Sequence, residues 1–185
     1  DRTENDVSTL QYVLRILLLL LSARSILWVV NIFIRILGSV FSAWDAVVSW
    51  NRWATVWASN AIPMDSHFYP QLVPLNWSIT YVMLGSTTIQ FFAKALMPVF
   101  GILMLVGFLS LCIQTRKSYF LISVVVLYSL LKTFLDRGMS DGYVDIAVAF
   151  FTFATLYILI RAREAADIEQ ITRLYILGAL FSAGA

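Results

Sequence analysis

The sequence predicts an all-α fold: a polytopic transmembrane helix bundle with interfacial, juxtamembrane helices in its first outer loop. Three observations carry this. Hydrophobic residues make up 60% of the 185-residue chain and charged ones 13%, with a mean hydropathy of +0.81; soluble domains sit near one half and one quarter. An apolar surplus of that size exceeds what a water-soluble core of one domain can bury, so the excess is expected to face lipid. Apolar runs also recur at about the 20-residue length that a bilayer-spanning helix needs. Between the first two runs the chain changes character, reading "WDAVVSWNRW" at 44–53 and "SHFYPQLVPLN" at 66–76.

Taken in order, the first span is expected from Tyr12 to Phe33, interrupted by Arg24 and flanked by Arg15 and Arg35. A charge at the bilayer centre costs on the order of 3 kcal/mol, so Arg24 is expected either to face neighbouring helices or to mark a shifted span. An outer loop follows over 42–88. Residues 95–114 form the clearest span, without a charge, then 118–135, with Lys132 able to snorkel near one end, then 144–160. Leu174 opens a further span, 174–185. The chain starts at Asp1 without a methionine and stops inside the apolar "LYILGALFSAGA". The expectation is a single transmembrane domain, 1–185, that is an N-terminal piece of a longer protein.

With the "WDAVVSW" region outside, alternating spans place Arg116, Lys117, Arg161, Arg163 and Arg173 inside. Arg35, Arg52 and Arg137 then lie outside, with Lys94 and Lys132 near the outer boundary. This gives a small inside excess of the sign that orients membrane proteins. The lone Cys112 excludes a disulfide framework and a CxxC metal site. A net charge of +2 gives no reason to expect a nucleic-acid partner.

Within the outer loop, residues 42–59 fit an amphipathic helix lying on the membrane. Trp50, Trp53 and Trp57 share one side with Ala46, Val47 and Ala54; Asp45, Ser49, Arg52 and Ser59 share the other. Tryptophan suits the headgroup zone because its ring is amphipathic. "SAWD" at 42–45 matches a capping box, in which Ser42 caps and Asp45 returns the bond; a chemical role for Asp45 is compatible with that. Pro70 and Pro74 break any helix before them, and Tyr69 is pushed to an extended backbone. "LNWSITYVMLG" then predicts a short helix ending at Gly85. His67 is the chain's one histidine and reads as a surface or hydrogen-bonded side chain. Further on, Ser140 or Asp141 could cap the 144–160 helix, leaving Asp145 in its first turn. Alternation puts Asp45 and Asp145 on the same membrane side, where two carboxylates can act as a general base and an orienting partner.

The order "WDAVVSWNRWA", "HFYPQLVPLNWSITYVMLG", "DGYVDIAVAFFTFATLYIL" and "LYILGALFSAGA" resembles the GT-C class of polytopic glycosyltransferases. The likeness is to the bacterial branch related to protein O-mannosyltransferases and lipid A aminoarabinose transferases. It spans roughly residues 12–185 and consists of spaced features, not one tight signature. It implies a transferase of the bacterial cytoplasmic (inner) membrane, multi-pass, with its active side outward. Such an enzyme moves a sugar from a polyprenyl-phosphate donor to a glycan, lipid or protein acceptor. By resemblance Asp45 matches the loop acid that activates the acceptor, Asp145 the second outer acid, and Tyr69 and Pro70 the step that shapes the donor pocket. Candidate substrate-binding residues are Trp44, Trp50, Arg52, His67, Tyr69, Pro70, Lys94 and Arg137, with the cations available to phosphate. The residues specify no cofactor; the resemblance admits a divalent metal, but Phe68 and Gln71 flank the Tyr-Pro step where relatives often carry a charge. A transporter piece, in which Arg24 lines a pathway, and a non-catalytic membrane subunit are the competing readings.

Overall fold

A computed structural model describes residues 2–66 and 68–184, with side chains from Gln11 onward; His67 lies outside the described residues. The chain is all-helical, 79% helix, with no strand among the described residues. Helix α1 runs Arg2–Ile36, and a π-helical segment Ala46–Asn51 leads into α2, Arg52–Ala58. There follow α3 (Leu72–Leu84), α4 (Phe91–Thr115), α5 (Tyr119–Phe134), α6 (Asp136–Asp141), α7 (Asp145–Glu164) and α8 (Ile168–Ser182).

Among the described residues, three stretches are long and apolar enough to cross a membrane: Gln11–Ile36, Phe91–Thr115 and Asp145–Glu164. The first two contain the expected spans 12–33 and 95–114 and overrun them; the third begins one residue after the expected start at 144 and ends four residues beyond 160. The 118–135 stretch is helical as expected, but α5 has only 16 residues, about 24 Å at 1.5 Å per residue, against roughly 30 Å of hydrocarbon. Its C-terminus is set by Leu135, which leaves helical geometry and hands the chain to α6. The segment expected to open at Leu174 starts a turn and a half earlier. Asp167 caps α8 by accepting from the Glu169 and Gln170 N–H groups at 3.3 and 3.2 Å, and α8 folds back along α7, with Gly178 against Ile158 and Phe181 against Phe150 and Phe151.

The core lies where α1, α4, α5 and α7 meet. Trp28 of α1 sets its edge on Tyr128 of α5 at 5.4 Å. Phe100 of α4 packs on Phe150 and Phe151, and Phe108 on Phe153. Gly107 makes this last approach close: a Cβ there would stand 2.6 Å from the Phe153 ring. Ser22 and Ser25 are buried on α1 and return their hydroxyls to the Leu18 and Leu21 carbonyls, so α1 presents no unpaired hydroxyl to the core. Arg24 is exposed, and the small serines of that turn fill the contact with the helices of this chain.

Both expected side-chain caps are missing, for identifiable reasons. The Val47 N–H bonds the Ala43 carbonyl, so the loop helix begins one residue later than the capping box requires, and Ser42 is left out of register. Asp45 makes no cap bond. Ser140 and Asp141 belong to α6, where the Ser140 hydroxyl bonds the Asp136 carbonyl, and Gly142 ends that turn at φ +94. Asp145 does sit in the first turn of α7. Helix α3 closes at Gly85, which adopts the left-handed conformation that glycine takes without a Cβ penalty. Pro74 lies inside its first turn, where no N–H is needed, so α3 starts at Leu72 and not after the proline.

Candidate functional site

The loop between α1 and α4 is fastened to the bundle at both of its ends. Where α1 stops, the Lys94 ammonium donates to the Val40 carbonyl at 2.6 Å, and the Phe41 N–H donates to Gln90 Oε1 at 3.0 Å. Two side chains from the start of α4 thus hold the chain as it leaves α1. Phe41 then stacks on Trp77 of α3, with ring centroids 4.4 Å apart. Trp77 is fully buried, and its Nε1 has no partner among the described residues.

The second fastening joins the loop helix to α3. A π-turn closes i→i+5 and takes in one residue more than an α-turn. The face before Asn51 is therefore rotated relative to the face after it. Val47 is exposed, whereas Asn51 is buried and accepts a hydrogen bond from the Tyr81 hydroxyl. Burial holds the Tyr81 phenol well above its ordinary range, because the charged form loses its water.

Third, the Tyr-Pro step is pinned to the same helix. The Tyr69 ring packs on Trp50 at 5.7 Å and Trp53 at 5.4 Å. Gln71 accepts from Trp57 Nε1 at 3.1 Å and donates to the Tyr69 carbonyl at 3.1 Å. Arg52 pairs with Asp65 at 2.8 Å. Both are well exposed, so that pair contributes at most about 1 kcal/mol.

The α6–α7 turn closes on this assembly. A Cβ on Gly142 would lie 2.4 Å from the Phe41 ring and 3.5 Å from the Ala46 Cβ; only glycine lets the two backbones approach so closely. Asp45 neighbours Ala46, and Asp145 lies three residues after Gly142, so the two acid-bearing segments touch. Both carboxylates are exposed. An apolar cavity of about 180 Å³ is lined by Trp50, Pro70, Leu72, Val73, Val144, Val148 and Gly184. It joins the loop helix, the Tyr-Pro step and the start of α7.

The remaining candidates separate. Trp44, Tyr69, Pro70 and Arg137 are exposed and Trp50 half-buried, whereas Lys94 is buried. Its ammonium serves the Val40 carbonyl, and the Asp141 carboxylate lies within electrostatic range. No group of three or more His, Cys, Asp or Glu side chains converges among the described residues. Asn51, Tyr81, Gln90 and Gln71 position the site without having been singled out in sequence. A Gln at a helix start and an Asn in a tryptophan-rich segment were the available signals. Comparison with protein families, curated proteins and solved structures finds no match for this chain.

Proposed function

We propose that this chain belongs to a multi-pass glycosyltransferase of the GT-C type, seated in the bacterial cytoplasmic membrane with the loop end outward. It transfers a sugar from a polyprenyl-phosphate donor to a glycan, lipid or protein acceptor. One observation carries the reading: the segments bearing Asp45 and Asp145 pack against each other through Gly142, Phe41 and Ala46, next to an apolar cavity shared with the Tyr-Pro step.

The chemistry needs a base, a grip on phosphate and shelter for a prenyl tail. The Asp45 carboxylate takes the proton of the acceptor hydroxyl as its oxygen attacks the anomeric carbon. The bond from that carbon to the phosphate oxygen breaks, and polyprenyl phosphate leaves. Asp145 orients the acceptor from the facing segment. With Lys94 committed to the Val40 carbonyl, the phosphate falls to Arg137 and to Arg52, which would exchange Asp65 for it; charge-assisted bonds of this kind are the strong ones. The cavity beside Trp50 and Pro70 takes the first apolar units of the tail.

Asp45→Asn in the full-length protein is expected to abolish transfer from undecaprenyl- or dolichyl-phosphate sugars. Yield in membranes and thermal stability should stay at the native level, because Asp45 makes no hydrogen bond or ion pair among the described residues. Native turnover in that variant would remove Asp45 from the mechanism.

A further inference from the structure

The end of the bundle away from the loop carries a second recess, of about 370 Å³, lined by Gln11, Tyr12, Leu14, Arg15, Leu18 and Ser118. Arg15 precedes the end of α1 by 21 residues, about 30 Å of helix, so this recess is remote from Asp45. Its volume falls in the range of ligand pockets, roughly 300–1,000 Å³. One of its lining residues, Leu18, belongs to the small apolar cluster with Leu111, Cys112, Phe120 and Leu121.

At this end Arg161 and Arg173 are already matched to Glu164 and Glu169. Arg15, Arg116 and Lys117 have no ion pair among the described residues, and no acidic side chain among the described residues lines the recess. Lys117 and Arg116 belong to the α4–α5 turn that supplies Ser118, and Lys117 lies 5.9 Å over the Tyr119 ring. Arg116 ends α4 at φ +57, a conformation that costs a non-glycine residue about 1–2 kcal/mol and where helices usually carry glycine. Beside the recess, Tyr12, Val13, Leu14, Ile16, Leu17, Leu19 and Leu20 are all exposed on α1. An acyl chain fits against that surface, and a negative head fits against the cations.

We propose that this recess seats the headgroup of one anionic phospholipid, its phosphate between Arg15 and the Arg116–Lys117 turn and its acyl chains along the exposed side of α1. Basic pockets between membrane helices bind anionic headgroups in this way. The site does not depend on the transferase reading.

Native mass spectrometry on the full chain released from micelles of equal phosphatidylglycerol and phosphatidylcholine tests it. The native protein should retain phosphatidylglycerol severalfold over phosphatidylcholine. Arg15→Gln combined with Lys117→Gln should bring the ratio to about one, Arg15→Lys should keep most of it, and Lys132→Gln at the opposite end should leave it unchanged. Equal retention of the two lipids by the native chain, or an unchanged ratio in the double variant, would overturn the proposal. Displacement of the lipid by millimolar inorganic phosphate would overturn it too, since the recess would then be a free-anion site.

Discussion

Among single side chains, Asn51 and Tyr81 show most directly how this loop trades exposure for order. Both could have been solvated at a membrane surface, yet they are buried against each other, with the Tyr81 hydroxyl donating to the Asn51 side-chain oxygen. Tyr81→Phe would leave that oxygen buried without a donor, at a cost of about 1–3 kcal/mol. The same contact makes a pH prediction. Burial raises the folded pKa of Tyr81 above the unfolded value of about 10. Its contribution is therefore complete below pH about 10 and is lost as pH rises beyond it. The melting temperature of the native chain in detergent should fall above pH about 10, and Tyr81→Phe, although less stable at neutral pH, should show a shallower alkaline decline. Equal slopes for the two proteins would show that Tyr81 does not couple folding to pH.

For the elements, what the sequence disclosed and what it hid follow one rule. Periodicity and punctuation are local, so the apolar runs of α4 and α7, the amphipathic loop helix and the glycine stop at Gly85 could be read in order. The inward turn of Lys94 could not, because its cause is the Val40 carbonyl, 54 residues away. Nor could the role of Gly142, whose neighbours Phe41 and Ala46 come from the far side of the chain. Contact between the segments bearing Asp45 and Asp145 had only a shared membrane side behind it in sequence; it needs the α6 turn, which reads there as part of a cap. The π-helical segment Ala46–Asn51 is the sharpest such case, since a periodic pattern read on an α-helical wheel carries no sign of the extra residue in a π-turn. Deleting Ser49 should return the segment to α-helical register and rotate everything before it by about 100°. Ala46 would then turn away from Gly142, and Phe41 would lose its stack on Trp77. The expected variant still enters membranes but melts at lower temperature and has no transfer activity. Retained activity would mean that the π register does not orient Asp45.

Taken whole, the molecule is a bundle whose two ends differ in kind. One end is closed by the fastened loop, with exposed carboxylates at Asp45 and Asp145; the other carries Arg15, Arg116 and Lys117, which have no ion pair among the described residues. Between them runs a surface of exposed apolar side chains, among them Leu17, Leu20, Leu27 and Ile34 on α1 and Ile122 and Val126 on α5. Contiguous apolar surface on this scale marks an interaction with lipid or protein. If that surface is covered by a bilayer, the two ends must lie in different aqueous compartments, and the helix directions require both aspartates to share one of them. Cys112 is the chain's single cysteine and is buried, so its replacement by alanine gives a clean background. On that background, Asp45→Cys and Asp145→Cys should react with an impermeant maleimide from the same side of sealed vesicles. Lys117→Cys should react only once the vesicles are opened, and Leu20→Cys should resist in both states. Opposite sidedness for the two aspartate positions would dismantle the shared site. Labelling of Leu20→Cys in sealed vesicles would show that lipid does not cover α1.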